Sequence, residues 1–200
     1  MPNSIQIKTY TDLPDFDRTE ILRYAGYLAA ADEATSAILD ECLQEAKTAF
    51  SFRVAYRTLT IEEFLTEFKP DESLQAMRLS GADRVVLFAA TVGLGIDRLT
   101  AKYANVSTVK ALFFQAIGAE RVESLCNRFC EELTETYAKQ GVCTRQRFSP
   151  GYGAFPLTAQ NTVFKLLDCP RTVGISLQDS LLMSPTKSVT AVVGLAKTEK

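Results

Sequence analysis

The sequence predicts a globular domain of the α+β fold class. Its composition and length predict the globular domain, and the order of its helical and strand-like patterns predicts the class. The chain has 200 residues, of which 46% are hydrophobic and 23% are charged, a composition typical of a globular protein with one domain or two small ones. A chain of this length buries roughly 70% of its unfolded surface, which is enough for a core of its own. Helical and strand-like patterns are interspersed without regular alternation, and this favours α+β over a doubly wound sheet.

The first fifty residues carry one strand-like and two helical patterns. Residues Ile5 to Tyr10 alternate between apolar and polar side chains, which predicts a short strand. Asp17 can cap a helix that runs to about Tyr27, because apolar residues recur there at helical spacing. Asp32 can cap a second helix that runs to about Phe50 on the same grounds.

The middle of the chain predicts strands, helices and a tight turn. Its predicted elements are a strand over Phe52–Leu59, a helix over Ser73–Leu79, a strand over Val85–Ala90 and a helix from Ile96 to Tyr103. The strand over Val85–Ala90 is apolar throughout, which indicates that both of its faces are covered. Gly93 and Gly95 follow it and invite a phosphate-loop interpretation. A plain tight turn is favoured, because there is no third glycine at the dinucleotide spacing and no Gly-Lys-Ser/Thr.

The last hundred residues begin with the longest helical pattern, Ser107 to Gln140, which Gly141 can end. The other predicted elements are a strand ending at Arg147, a helix over Leu157–Leu167, and strands over Thr172–Leu177 and Ser188–Ala196.

Composition excludes several kinds of chemistry. There is no histidine, so a Ser-His-Asp triad, a Cys-His pair, a histidine-rich metal site and an axial histidine ligand are excluded. The formal charge of -2 gives no basic excess that would favour nucleic acid. The longest charge-free run, Phe148 to Phe164, contains proline and glycine and predicts no membrane span. No secretory signal is visible, so a cytoplasmic location is expected.

The five cysteines predict neither a disulfide framework nor a metal site. Their number is odd, and no Cys-x-x-Cys occurs. Cys126 and Cys130 lie four residues apart on the long helical pattern, but a metal would need two more ligands from elsewhere. Buried cysteines that act as small apolar residues are the favoured interpretation.

Two features are candidates for a binding site. The loop from Arg147 to Gly153 reads Arg-Phe-Ser-Pro-Gly-Tyr-Gly, and its proline and glycines predict a rigid backbone. Its arginine and tyrosine can bind a carboxylate and stack on an aromatic ring, or the loop can be a structural turn whose arginine pairs with a surface acid. Glu123 borders the apolar stripe of the long helix. There it needs an arginine of the protein or a cationic ligand, unless it lies at a solvated edge.

A third feature is the segment from Ser180 to Ala191, in which a polar turn at Pro185 feeds a strand. It can line a site or simply connect two elements.

These segments carry a resemblance to a known family. Four of them closely resemble the reductive activation domain of cobalamin-dependent methionine synthase, namely Arg147–Pro156, Leu157–Leu167, Gly174–Leu182 and Pro185–Gly194. Two others, Glu20–Tyr24 and Val86–Gly93, resemble its free-standing bacterial form. The most specific motif is the loop that begins at Arg147.

The resemblance implies a fold and a function. The fold is a single domain with a twisted, mainly antiparallel sheet and flanking helices, with a helical part over about 1–50 and the main α+β part over about 51–200. Such domains bind S-adenosylmethionine and dock over the cobalamin-binding domain. They support methylation of cob(II)alamin once a flavodoxin-type donor has reduced it.

The resemblance also implies site residues. Arg147 would hold the carboxylate of S-adenosylmethionine, and Glu123 would balance its positive charge. Backbone groups from Ser149 to Gly151 would read the adenine edge, and Tyr152 would pack on the ligand. No residue is expected to be catalytic, because the cobalt is the nucleophile and only positioning remains to be supplied.

The absence of histidine narrows the expected role. The family's cobalamin module ligates cobalt through Asp-x-His-x-x-Gly, which this chain cannot contain. We therefore expect a subunit that acts in trans on a cobalamin-loaded methionine synthase lacking its own activation domain. The family's N-terminal aspartate and tyrosine-bearing C-terminal segment are not matched. One alternative is therefore a cap for a corrinoid protein with a vestigial S-adenosylmethionine pocket, and another is an unrelated enzyme that reuses the fold.

Overall fold

The computed structural model describes residues 4–11, 13–27 and 31–197. The strands are β1 (Gln6–Tyr10), β2 (Phe52–Thr60), β3 (Ala82–Thr91), β4 (Val142–Thr144), β5 (Ser176–Leu177), β6 (Met183–Ser184) and β7 (Ser188–Lys197). The helices are α1 (Arg18–Tyr24), α2 (Glu33–Ala46), α3 (Ile61–Phe68), α4 (Glu72–Arg78), α5 (Gly95–Tyr103), α6 (Thr108–Ala138), α7 (Ala159–Leu167) and α8 (Cys169–Thr172).

The main sheet has the strand order β1-β2-β3-β7-β4, and every neighbouring pair is antiparallel. Strands β5 and β6 form a separate two-stranded sheet. The predicted α+β class and the mainly antiparallel sheet with flanking helices are therefore confirmed. The N-terminal segment belongs to this architecture, because β1 pairs with β2 along its whole length.

Side chains of β3 alternate between two apolar cores, one on each face of the sheet. Val86 and Phe88 face the core that includes residues of α1, α2, α5 and α6. Val85 and Leu87 face the core that includes residues of α3, α4 and α7. Because both faces are covered, the strand is apolar at every position from Val85 to Ala90, as the sequence predicts.

Local chemistry explains where several elements begin. The side chain of Asp17 accepts a hydrogen bond from the Glu20 N–H at 3.1 Å. Asp32 accepts one from the Thr35 N–H at 2.7 Å, so both predicted N-caps are confirmed. At Gly95 a Cβ would lie 1.9 Å from the Ala49 carbonyl oxygen. A close approach of two backbones thus requires this glycine, in agreement with the predicted tight turn.

The predicted strand over Thr172–Leu177 is wrong for most of its length. Asp168 ends α7 with a left-handed φ of 45°, and the short helix α8 follows at once with a proline in its first turn. The Thr172 hydroxyl donates to the Leu167 carbonyl at 2.9 Å, which holds this turn. Only Ser176 and Leu177 remain extended, so the β-branched residues there were a misleading signal.

Helix α3 was not predicted, although the sequence carries a signal for it. The Thr60 hydroxyl accepts from the Glu63 N–H, and the Glu63 carboxylate accepts from the Thr60 N–H. This is the Thr-x-x-Glu capping box, which here stands directly after the strand β2.

The loop before α1 is held against α6 by hydrogen bonds from the buried guanidinium of Arg121. Arg121 pairs with Glu120 at 2.5 Å, and both side chains are nearly inaccessible to solvent. The same guanidinium donates to the carbonyls of Pro14 at 2.7 Å and Asp15 at 3.1 Å. None of the helices that the structure describes within residues 4–197 has the length and apolarity needed to cross a membrane.

Candidate functional site

A cavity of about 470 Å³ lies between α6 and α7, beside the first residues of β7. Four of the five predicted site residues line it, namely Glu123, Arg147, Ser149 and Tyr152. The other lining residues are Arg78, Phe148, Pro150, Leu157, Gln160, Met183, Ser188, Val189 and Thr190. The segment around Pro185 thus both connects β6 to β7 and contributes residues to the cavity.

The cavity exists because one edge of β7 lacks a partner strand near its start. Strand β4 pairs only with residues from Leu195 to Lys197, and Phe148 extends this edge with a bridge to Val192. Before Val192, no strand among the described residues covers this edge. Backbone groups of alternate residues in an antiparallel strand face the same side. The N–H and carbonyl of Val192 face this edge, because both are hydrogen-bonded to Phe148. Thr190 lies two residues earlier, so its N–H and carbonyl face the same edge and hence the cavity.

Arg147 and Glu123 form an ion pair at one end of the cavity. The guanidinium Nη2 lies 2.5 Å from the carboxylate Oε2, with 23% of the arginine side chain and 44% of the glutamate side chain exposed. The Nη1 of Arg147 donates to Asn127 Oδ1 at 2.6 Å. The sequence left open whether Glu123 meets an arginine or a ligand. In this structure it meets Arg147, and both side chains still reach the cavity.

The two cysteines nearest Arg147 are buried to different extents. Cys126 is fully buried, and desolvation raises the pKa of its thiol far above the ordinary value. Cys130 is partly buried, and desolvation raises the pKa of its thiol as well. The described residues hold no group of three or more cysteine, aspartate and glutamate side chains placed to bind a metal.

The loop after Arg147 is held by its own hydrogen bonds. The Gly151 N–H donates to the Phe155 carbonyl at 2.8 Å, and the Tyr152 N–H donates to the Ser149 carbonyl at 3.3 Å. Gly151 has a φ of +91°, which a residue with a side chain rarely adopts. Gly151 does not line the cavity, and its N–H is already used within the loop. Tyr152 is 75% exposed at the rim.

Gln160 lines the cavity from the α7 side, and the sequence reasoning missed it. It is 6% exposed, and its amide oxygen receives no hydrogen bond from any residue that the structure describes. A signal was present, because Gln160 shares the helical stripe of Val163, Phe164 and Leu167, all of which are buried. A polar residue on such a stripe needs a partner.

A larger depression of about 730 Å³ lies on the other side of the Arg147 guanidinium, between α6 and the segment around β4. Its lining is more polar than that of the smaller cavity and is mostly contributed by charged and amide side chains of α6 and residues 144–146. The smaller cavity is the better candidate site. There apolar surfaces and a few convergent polar groups meet, which is the usual character of ligand pockets.

Comparisons with known proteins agree with this architecture. The family described as "Vitamin B12 dependent methionine synthase, activation domain" matches residues 68–199. No curated protein matches the chain. One similar solved structure is titled "Crystal Structure of the MetH Reactivation Domain bound to AdoHcy". It has a TM-score of 0.71 and 17% sequence identity, and the match covers 98% of this chain and 80% of that chain. The structural likeness shows a shared fold, and the family match shows that the chain belongs to the family of vitamin B12-dependent methionine synthase activation domains.

Proposed function

We propose that this chain binds S-adenosylmethionine in the cavity beside β7 and acts as a stand-alone reactivation subunit for a cobalamin-dependent methionine synthase. The observation that carries the proposal is the convergence of Glu123, Arg147, Ser149 and Tyr152 on one cavity in a chain of this family. The cavity volume of about 470 Å³ lies within the range of small-molecule sites.

The charges at the α6 end suit the amino-acid part of this ligand. Arg147 presents a planar fork of donors, which matches a carboxylate with two parallel hydrogen bonds. Glu123 is a carboxylate beside it and can balance the ammonium and sulfonium charges of S-adenosylmethionine. Without the ligand the two side chains satisfy each other. When the ligand binds, Arg147 would exchange the Glu123 carboxylate for the carboxylate of the ligand, and Glu123 would exchange the guanidinium for a cationic group of the ligand.

The rim of the cavity suits a second protein. Tyr152, Leu157 and Leu182 are 75%, 42% and 63% exposed, and the first two line the cavity mouth. Such apolar side chains around a pocket are a frequent mark of an interaction surface. The proposed partner is a methionine synthase that lacks its own activation domain and holds the cobalamin. A flavodoxin-type protein would donate the electron.

In the proposed reaction this chain only has to hold S-adenosylmethionine in the correct orientation. When bound, S-adenosylmethionine would supply the methyl group, and the partner's reduced cobalt would supply the electron pair. No proton has to move, so the lack of histidine is compatible with this role. Arg147 and Glu123 would fix the orientation of the amino-acid part, and the rigid loop from Ser149 to Phe155 would shield the site from water.

The proposal is tested by calorimetric titration of the chain with S-adenosylmethionine, alone and with the partner synthase, together with a reactivation assay. We expect binding by the wild type and loss of binding and reactivation in Arg147→Ala. Arg171→Ala is the matched control, because this arginine is 87% exposed and makes only a 3.6 Å pair with Asp168. Absence of heat in both titrations, with Arg147→Ala reactivating like the wild type, would contradict the proposal.

A second candidate function is a cap that covers the corrinoid of a partner protein without binding S-adenosylmethionine. It is favoured by one observation, namely that Arg147 already has two partners, Glu123 and Asn127, in the ligand-free protein. In that case the chain would capture a corrinoid protein in a pull-down, and added S-adenosylmethionine would not change the amount captured. An increase on addition would favour the reactivation role.

A further inference from the structure

We infer that Gln160 reads the adenine base of the ligand, accepting a hydrogen bond from the exocyclic amino group through its side-chain oxygen. This inference rests on the proposed function and deepens it, because it assigns the nucleobase end of the cavity. It adds a residue that the family resemblance does not name.

Gln160 buries an amide oxygen that no described residue supplies with a hydrogen bond. The residue is 94% buried, and among the described residues its amide oxygen has no donor. Buried polar atoms without partners are rare in native proteins and are costly. The oxygen itself is inaccessible in the ligand-free protein. Because Gln160 lines the cavity, rotation of its terminal amide can turn the oxygen toward a donor of a ligand placed there.

Two helices contribute different polar groups to the cavity. Glu123 lies on α6, and Gln160 lies on α7, which pack on opposite faces of the main sheet. The cavity therefore has a charged end at Arg147 and Glu123 and the amide of Gln160 at its other end, and Arg78 of α4 also contributes to its lining. Leu157 and Met183 line the same cavity and add apolar surface from the α7 side. A zwitterionic amino acid suits the charged end, and a flat, neutral purine suits the other.

The amide of glutamine is complementary to one hydrogen-bonding edge of adenine. Glutamine can accept from the N6 amino group while it donates to N7 of the same base, a pairing that proteins also use to read adenine in DNA. The cationic groups of the ligand would favour the carboxylate of Glu123 over a neutral amide.

Several polar groups in and around the cavity are already engaged in hydrogen bonds within the protein. The N–H groups of Gly151 and Tyr152 are donated within the loop. The Ser188 hydroxyl is bonded to the Thr91 hydroxyl and the Pro185 carbonyl at 2.9 and 2.8 Å. Gln160 is therefore better placed to read the base than the N–H groups of Gly151 and Tyr152, although the family resemblance implies that backbone groups from Ser149 to Gly151 read the adenine edge.

The test compares two ligands that differ at the group in question, S-adenosylhomocysteine and S-inosylhomocysteine, by calorimetry. In the inosine analogue an oxygen replaces the amino group, so the donor is lost. We expect the wild type to bind the adenosyl compound at least about tenfold more tightly. Gln160→Met should lose about tenfold in affinity for the adenosyl compound and bind both ligands alike.

A second readout separates recognition from a structural role. Gln160→Met replaces a buried amide by an apolar side chain of similar length, so we expect the Tm of the ligand-free protein to rise by about 2–4 °C. A residue that only supports the fold would lower Tm on substitution. Asn161→Met is the matched control, because Asn161 is the next residue of α7, is exposed and does not line the cavity. It should change neither affinity nor base preference.

The outcomes distinguish this inference from the proposed function. If the wild type binds neither compound, the proposed function fails and the role of Gln160 fails with it. If the wild type binds both equally, or if Gln160→Met binds like the wild type, only the role of Gln160 is overturned. The wild-type comparison needs no variant, so it decides the matter even if Gln160→Met does not fold.

Discussion

Arg147 Nη2 lies 2.5 Å from Glu123 Oε2, although the two residues are 24 positions apart in the sequence. The arginine comes from the segment that follows β4, and the glutamate comes from the middle of α6. Their contact brings the most specific motif of the chain to the side of its longest helix. It also places two opposite charges at the cavity, where a zwitterionic ligand can take up both.

Glu123→Gln should weaken binding of S-adenosylmethionine about tenfold, because the variant loses the charge that balances the ligand's cations. The free energy of unfolding should fall by less than about 1 kcal/mol, since the ion pair is partly exposed. Calorimetry and urea unfolding measure the two effects. Asp168→Asn is the control, because it changes the carboxylate of an exposed pair. A drop in stability of several kcal/mol with unchanged affinity would make the pair structural only.

Gly151→Ala should destabilise the loop by about 1–2 kcal/mol, because Gly151 has a φ of +91° and an added Cβ would approach Leu157 Cδ1 to 3.2 Å. Leu157 lines the cavity, so affinity should fall as well. Gly153→Ala is the matched control, since its φ is +58° and no other atom lies within 4 Å of the added Cβ. Urea unfolding compares the two variants. A greater loss of stability in Gly153→Ala would contradict this description of the loop.

Glu132 should make stability depend on pH in the acid range. Burial by itself raises the pKa of this carboxyl, but hydrogen bonds from Lys8 and Tyr10 and the positive charges of Lys8 and Arg128 together bring the pKa below the ordinary 4.5. A carboxyl with a lowered folded-state pKa stabilises the protein above pH 4.5, and this contribution is lost as the pH falls through the folded-state value.

Glu132→Gln should therefore be less stable than the wild type by about 1 kcal/mol near neutral pH, and the difference should shrink as the pH falls below 4.5 and through the lowered pKa of the Glu132 carboxyl. Urea unfolding over this range measures it. A constant difference at all pH values would show that the carboxylate charge has no part in the effect. The variant tests the tie between β1 and α6, because the Tyr10 hydroxyl donates to Glu132 at 2.8 Å.

Three cysteines should resist alkylation in the native protein. Burial raises the pKa of the Cys42 thiol to about 11 and that of the Cys169 thiol to about 12, and Cys126 is buried as well. The thiolate is the reactive form, so iodoacetamide should modify these three slowly. Cys143 is partly exposed and should react faster. Mass spectrometry of peptides measures this, with the urea-unfolded chain as the control. Rapid native labelling of Cys126 would contradict its burial on the core-facing side of α6.

Much of the fold could be predicted because its signals are local. Asp17 and Asp32 cap their helices through side chains three residues from their partners, and the run from Val85 to Ala90 is apolar because it is covered on both faces. The predicted strand over Thr172–Leu177 was wrong because its residue types favour strands, while the backbone turn at Asp168 starts a helix instead.

The site could be predicted only in part, because its geometry depends on contacts between distant segments. The loop at Arg147 stands out by its own composition, and Glu123 stands out by its place on a helix. The contact between them depends on how α6 packs against the sheet. Whether the amide oxygen of Gln160 receives a hydrogen bond depends on every neighbour of that residue. The sequence therefore shows that Gln160 lies on a buried stripe, but it does not show that the oxygen lacks a donor among the described residues.

The most direct test of the central claim is a crystal structure of the chain with S-adenosylhomocysteine. We predict density for the ligand in the cavity beside β7, with its carboxylate on Arg147 and its adenine against Gln160. Density at another place, such as the depression between α6 and residues 144–146, would contradict the claim. So would a cavity without ligand density in crystals grown at saturating ligand, with Arg147 still paired to Glu123.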